Sequence, residues 1–210
     1  MLGSTLTIEW RCKNLTVIRQ KLECSMIYMV EMNLIDRDKR KEWDNWYDEH
    51  TKMLLTFPGF HATQRFECID NAKAPFVALH HVDGPEFFNS SAYKNNAGPA
   101  GTGEWRNKMD NWSRNLFEGI ETTPNISQED NLIVIEQGCK LPIIENFEII
   151  WLESVGLDKD VERRGFASSK SKPIIEQIRQ LSNVRVLKPL NKRRTETDCV
   201  SLIRSMLKAG

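Results

Sequence analysis

The chain has 210 residues, 40% of them hydrophobic and 28% charged. That suits one ordinary domain or two small ones and excludes collagen-like and broadly disordered classes. Lys plus Arg and Asp plus Glu each number 29, so no net field draws in nucleic acid or an anionic membrane.

The five cysteines, Cys12, Cys24, Cys68, Cys139 and Cys199, are widely spaced and form no CxxC. They indicate neither a zinc site nor a secreted disulfide framework, and free thiols in a reducing compartment are expected. The first eleven residues lack the basic stretch and long apolar run of a signal peptide. Apolar runs such as 27–30 and 149–152 are too short to span a bilayer. The expectation is a cytoplasmic protein without membrane or nucleic-acid partners.

Residues 1–25 read as an N-terminal extension able to add a strand. Residues 25–33 (SMIYMVEMN) read as a buried strand. Asp36 then offers an N-cap to a helix over 37–55. Three- and four-residue spacing places Trp43, Trp46, Tyr47, His50 and Leu54 on one side of it, and Phe57-Pro58-Gly59 ends it. Residues 60–69 alternate: Phe60, Ala62, Gln64, Phe66 and Cys68 on one face, His61, Thr63, Arg65 and Glu67 on the other. Residues 76–82 (FVALHHV) form a third strand, and Pro85 opens a short helix to about residue 95. Residues 96–103 (NAGPAGTG) read as a loop or lid, 104–110 as a helical turn, and 112–121 as a fourth strand. The order β-α-β-β-α-β is the ferredoxin-like split βαβ arrangement.

Residues 122–130 (TTPNISQED) form a polar linker. Residues 131–210 repeat the theme in degenerate form: strands at 147–155 and 184–190, and helical candidates at 158–167 and 173–181. Residues 199–207 read as strand or helix. A missing strand comes from 132–136 or from 6–10. Residues 159–210 hold 13 Lys/Arg against 5 Asp/Glu, read as a solvated or internally paired face because no RNP-type aromatic string accompanies them.

The string Trp46-Tyr47-x-x-His50-x-x-x-Leu54-Leu55-x-x-Pro58-Gly59-Phe60, behind a strand and ahead of Arg65, resembles the dimeric α/β-barrel superfamily, especially its EthD-like branch. The resemblance covers roughly residues 26–121. It implies an α+β protein of two ferredoxin-like units whose sheets enclose a cavity, the second unit degenerate. The assembly is then a homodimer or an intramolecular pseudo-dimer. It also implies a small, often aromatic or polyketide-like ligand.

His50, in the matched string, is the candidate general base. Arg65 is the candidate oxyanion partner, and Glu31 its neighbour on the first strand and a second acid/base candidate. Trp46 and Tyr47 would form a packing wall. His61, His80, His81 and Arg114 complete the candidate substrate contacts. His80 and His81 must point to opposite faces of their strand; which enters the cavity is open. This scheme requires the polar face of residues 61–67 to line the chamber. Gly98-x-x-Gly101-x-Gly103 follows no strand and opens no long helix, so it is not a dinucleotide fingerprint. The expected function is cofactor-independent isomerase, cyclase or lyase chemistry on a small hydrophobic or aromatic oxygenated molecule, with no cofactor and no metal. The alternatives are a non-catalytic ligand-binding or assembly module, a cofactorless monooxygenase, or a haem-binding relative.

Overall fold

The computed structural model describes residues 25–142, 144–145 and 147–198. The N-terminal extension through residue 24, the alternative strand at 6–10, residues 199–207, and Cys12, Cys24 and Cys199 lie outside the described residues. Cys68 and Cys139 are free thiols. No described helix is long and apolar enough to cross a membrane.

The first unit runs β1 (Met26–Leu34), α1 (Arg40–Leu54), β2 (Phe60–Cys68), β3 (Phe76–Val82), α2 (Ser91–Asn96), α3 (Gly98–Gly101) and β4 (Met109–Glu118). The second runs β5 (Asn131–Glu136), β6 (Ile150–Leu157), β7 (Arg163–Ser169), α4 (Lys172–Ile178) and β8 (Val184–Pro189), followed by the two-residue β9 (Arg194–Thr195). Strand order is β2-β3-β1-β4 in the first sheet and β6-β7-β5-β8 in the second, each ferredoxin-like. β4 pairs with β6 and β8 with β2, all antiparallel. Two four-stranded sheets thus close into one eight-stranded barrel within a single chain, removing four exposed edges.

Of the two sources for the missing strand, the described one is β5, hydrogen-bonded between β7 and β8. The expected helix over 158–167 is corrected: Leu157 and Lys159 take positive φ in a turn, and Arg163–Ser169 returns as β7 beside β6. Arg164 and Phe166 turn into the barrel, and Gly165 lies beneath Trp151, where a Cβ would meet Ile149 Cγ2 at 2.8 Å. Small Gly and Ala on one face mimic a polar helix pattern in sequence; here they admit close packing instead. The expected loop at 96–103 is largely helical, as α3 and a following 3₁₀ segment.

α1 buries Trp43, Tyr47, Thr51 and Leu54, the side the three- and four-residue spacing predicts. These pack on Val30, Phe76 and Phe60 of the sheet. The barrel interior is filled by Ile27, Met29, Phe66, Val77, Leu79, Phe117, Leu132, Val134, Leu152, Phe166 and Leu187. Each such side chain contributes roughly 1.5–3 kcal/mol. The interior is therefore a packed core, which corrects the expectation of a chamber between the sheets. Polar space lies elsewhere, between the first sheet and its helices.

Candidate functional site

The first sheet turns two cross-strand rows toward the helices: Arg114–Val30–Ala78–Arg65 and Leu116–Tyr28–His80–Thr63. The polar face of β2 is thus opposite to expectation. A register shift between Phe60 and Ala62 reverses the alternation. Phe60 and then Thr63, Arg65 and Glu67 look to the helix layer, while Gln64 and Phe66 look into the barrel.

Arg65 is 7% exposed at its side chain and donates to Asp44 at 2.7 Å. Its guanidinium lies 4.2 Å from the Tyr47 ring centre and 4.7 Å from that of Trp43. It ties α1 to the sheet behind Tyr47 and is not among the residues that line the described cavities, which corrects its assignment as oxyanion partner. Glu31 faces the other way, into the barrel, and is 5% exposed at its side chain. Arg164 and Arg185 both pair with it, the latter at 2.5 Å, and both also reach Glu136. These guanidinium charges hold the Glu31 carboxyl below its ordinary range despite burial. Glu31 neither meets Arg65 nor shares a site with His50, so its catalytic assignment is corrected too.

His80 and His81 do point oppositely. His81 shares the parity of Val77 and Leu79 but sits at the barrel mouth, 3.0 Å from Ser25 Oγ and 3.3 Å from Thr122 Oγ1. Burial chiefly, with nearby His61 and Arg193, lowers its pKa to about 4. His61 lies at the same end, its ring 5.1 Å from that of His81. It bridges Asp83 at 2.5 Å and Glu196; these carboxylates outweigh the desolvation that opposes them and raise its pKa. Neither histidine reaches the helix-side cavity.

His80 does. With Tyr28, Tyr47, His50, Tyr93 and Trp46 it lines a cavity of about 20 Å³, room for one water. The His50 ring stacks on Trp46, centroids 5.2 Å apart and planes at 19°. Among the described residues no hydrogen bond engages the His50 ring. Burial lowers its pKa to about 4, so it is neutral at pH 7. His80 shares a hydrogen bond with Thr63 Oγ1 at 2.9 Å, and burial lowers its pKa to about 3. The Tyr28 and Tyr93 hydroxyls are 3.1 Å apart, and burial raises both pKa values. Arg114 contacts Asp158 at 3.3 Å, and its positive charge acts on the Tyr93 hydroxyl against the effect of burial.

Trp112 lines this cavity and also an outer pocket of about 260 Å³, where Arg114, Arg106, Met109, Thr102 and Asp158 complete the wall. α3 roofs the inner cavity. Gly98 has φ +56°, and a Cβ there would lie 3.0 Å from Tyr93 Oη. A Cβ on Gly101 would stand 2.3 Å from the Asn96 carbonyl oxygen and 3.2 Å from His50 Cε1. The arrangement offers a neutral imidazole, two phenol donors and an apolar mouth.

Tyr28, Tyr93 and Trp112 escape the sequence reading. Tyr28 was findable, since antiparallel pairing of the first and third strands sets it beside His80. Tyr93, in a short polar helix, leaves no periodic signal.

Among the described residues, no group of three or more His, Cys, Asp or Glu is placed to hold a metal ion. Haem, implied by the resemblance for some relatives, does not fit the histidine site. The His50–His80 cavity is far below the roughly 300–1,000 Å³ of pockets that bury large ligands. The described pocket of 420 Å³, at Pro58 and Phe87, has no histidine in its wall.

No family model matches the sequence, and no curated protein matches it. Among solved structures, an anthrone oxidase-like protein is similar over 82% of this chain and 94% of its own, with TM-score 0.55 and 9% identity. A candidate chlorite dismutase is similar over 85% and 98%, with TM-score 0.52 and 6% identity. The likeness is one of fold: the chain has the dimeric α/β-barrel, ferredoxin-like architecture, with both units in one polypeptide.

Proposed function

We propose that the chain is a small-molecule enzyme of oxygenase type and an EthD-like variant of this fold, with its active centre between α1 and the first sheet. A hydroxylated aromatic enters over Trp112 and presents an acidic hydroxyl to His50, which takes the proton. The anion carries carbanion character at a ring carbon, which bonds dioxygen and reduces it by two electrons to a peroxide that takes up the proton. Loss of that carbon's hydrogen as a proton, with cleavage of the O–O bond, releases water, so that substrate and dioxygen give a quinone and water. The observation that carries this reading is the His50 ring: desolvated, without a hydrogen-bond partner among the described residues, and facing a cavity that also holds a phenol pair.

A base with pKa about 4 is weak in the empty site. Transfer becomes favourable as the imidazolium and phenolate form together in a dry pocket, where their attraction is poorly screened. Tyr28 and Tyr93 remain protonated because burial raises their pKa values, so a phenol proton is at hand for the developing oxyanion. Likeness of fold to an anthrone oxidase-like protein supports oxidation over the isomerase, cyclase or lyase chemistry expected from sequence.

Oxygen uptake with a panel of hydroxynaphthalenes and hydroxyanthrones tests the proposal. His50→Ala should lower turnover by roughly 10²–10⁴-fold, the range for losing a general base, with an unchanged circular dichroism spectrum and melting temperature. Full activity in His50→Ala removes His50 from the reaction. The smallness of the inner cavity favours one rival, a ligand-binding module; binding of the panel without oxygen uptake would establish it.

A further inference from the structure

We infer that the outer pocket selects aromatics bearing a carboxylate, and that Arg114 recognises that group. The inference deepens the oxygenase reading and depends on it only for the chemistry after binding.

The pocket of about 260 Å³ has Trp112 and Met109 in its wall, with Arg114 beside one carboxylate, Asp158. Asp158 is already committed. Its Oδ2 accepts the Arg114 backbone N–H at 2.9 Å, and its own N–H donates to the Arg114 carbonyl at 2.9 Å. Its contact with the Arg114 guanidinium is a single hydrogen bond at 3.3 Å, long for a charge-assisted pair. A guanidinium carries five N–H donors. Asp158 is its hydrogen-bond partner among the described residues. Donors therefore remain for a two-pronged bond to a carboxylate, beside an indole face that accepts an aromatic ring. The volume lies just below that of pockets for drug-sized ligands, roughly 300–1,000 Å³, which suits one or two fused rings. Because Trp112 lines both pockets, an anion anchored at Arg114 sits beside the inner cavity and its phenol pair.

Titration calorimetry with 1-hydroxy-2-naphthoate and 1-naphthol tests this. The naphthoate should bind at least tenfold tighter, with a preference that shrinks as salt rises. Arg114→Gln should abolish the preference while leaving naphthol affinity within twofold, and Trp112→Leu should weaken both ligands. Equal affinities in the unaltered protein, or a preference that survives Arg114→Gln, overturn the inference. If Arg114→Gln does not fold, the comparison in the unaltered protein still decides. Preferential naphthoate binding without oxygen uptake supports this inference and refutes only the oxygenase reading. Oxygen uptake with no preference between the ligands does the reverse.

Discussion

His80 and His50 are neutral imidazoles held so by burial, with pKa values of about 3 and about 4 against an ordinary 6.5. The unfolded chain therefore binds more protons than the folded one between about pH 6.5 and those values, and stability falls as pH drops through that window. The slope is roughly 1.4 kcal/mol per pH unit for His80 and less for half-buried His50. His61 acts oppositely: its raised pKa contributes stability that is full below pH 6.5 and fades as pH climbs. Melting curves from pH 7 to 4 should fall, and His80→Gln should flatten them. Glu31 belongs to the same scale. Removing its charge leaves Arg164 and Arg185 buried with Glu136 alone, so Glu31→Ala should cost about 3–5 kcal/mol in urea unfolding. At a temperature where the variant is folded, its turnover should be unchanged. A turnover defect as large as that of His50→Ala would return Glu31 to the active site.

At the scale of elements, α1 was legible from its four-residue steps from Trp43 to Tyr47 to Thr51, and the strands of the first unit from short aromatic and β-branched runs bounded by turn residues. The facing of β2 was not legible. One extra residue near His61 reverses every side chain beyond it, and no Gly or Pro marks the bulge. Thus Arg65 and Glu31 were assigned to a chamber that side-chain packing has filled, while the WYxxH residues line the small cavity between α1 and the sheet. α3 was hidden for another reason: its Gly-rich composition reads as loop, yet glycine is what lets the segment pack down on Tyr93 and His50. Gly101→Ala forces a Cβ against the Asn96 carbonyl, so the roof must shift. Ligand affinity should drop several-fold with a modest loss of melting temperature, and an unchanged binding isotherm would contradict the role of α3 as a roof.

For the whole molecule, closure of the barrel decides which pieces are autonomous. Residues 26–121 alone would expose the edges of β2 and β4 and the inward face carrying Ile27, Met29, Phe66, Val77 and Phe117. Such a fragment should self-associate, β4 of one copy replacing β8 against the other's β2, or precipitate. Light scattering on the purified fragment checks this; a stable, soluble monomer would contradict it. The joining of both halves in one polypeptide has a further consequence. Two identical subunits related by a two-fold axis must duplicate every site they own, whereas tethered halves are free to diverge. On the proposed function, the half with α1 holds the reacting histidine and tyrosines. The other half, with no described helix between β5 and β6, serves as scaffold, donating Arg164 and Arg185 to the middle of the barrel. Division of labour within one chain is what this topology makes available.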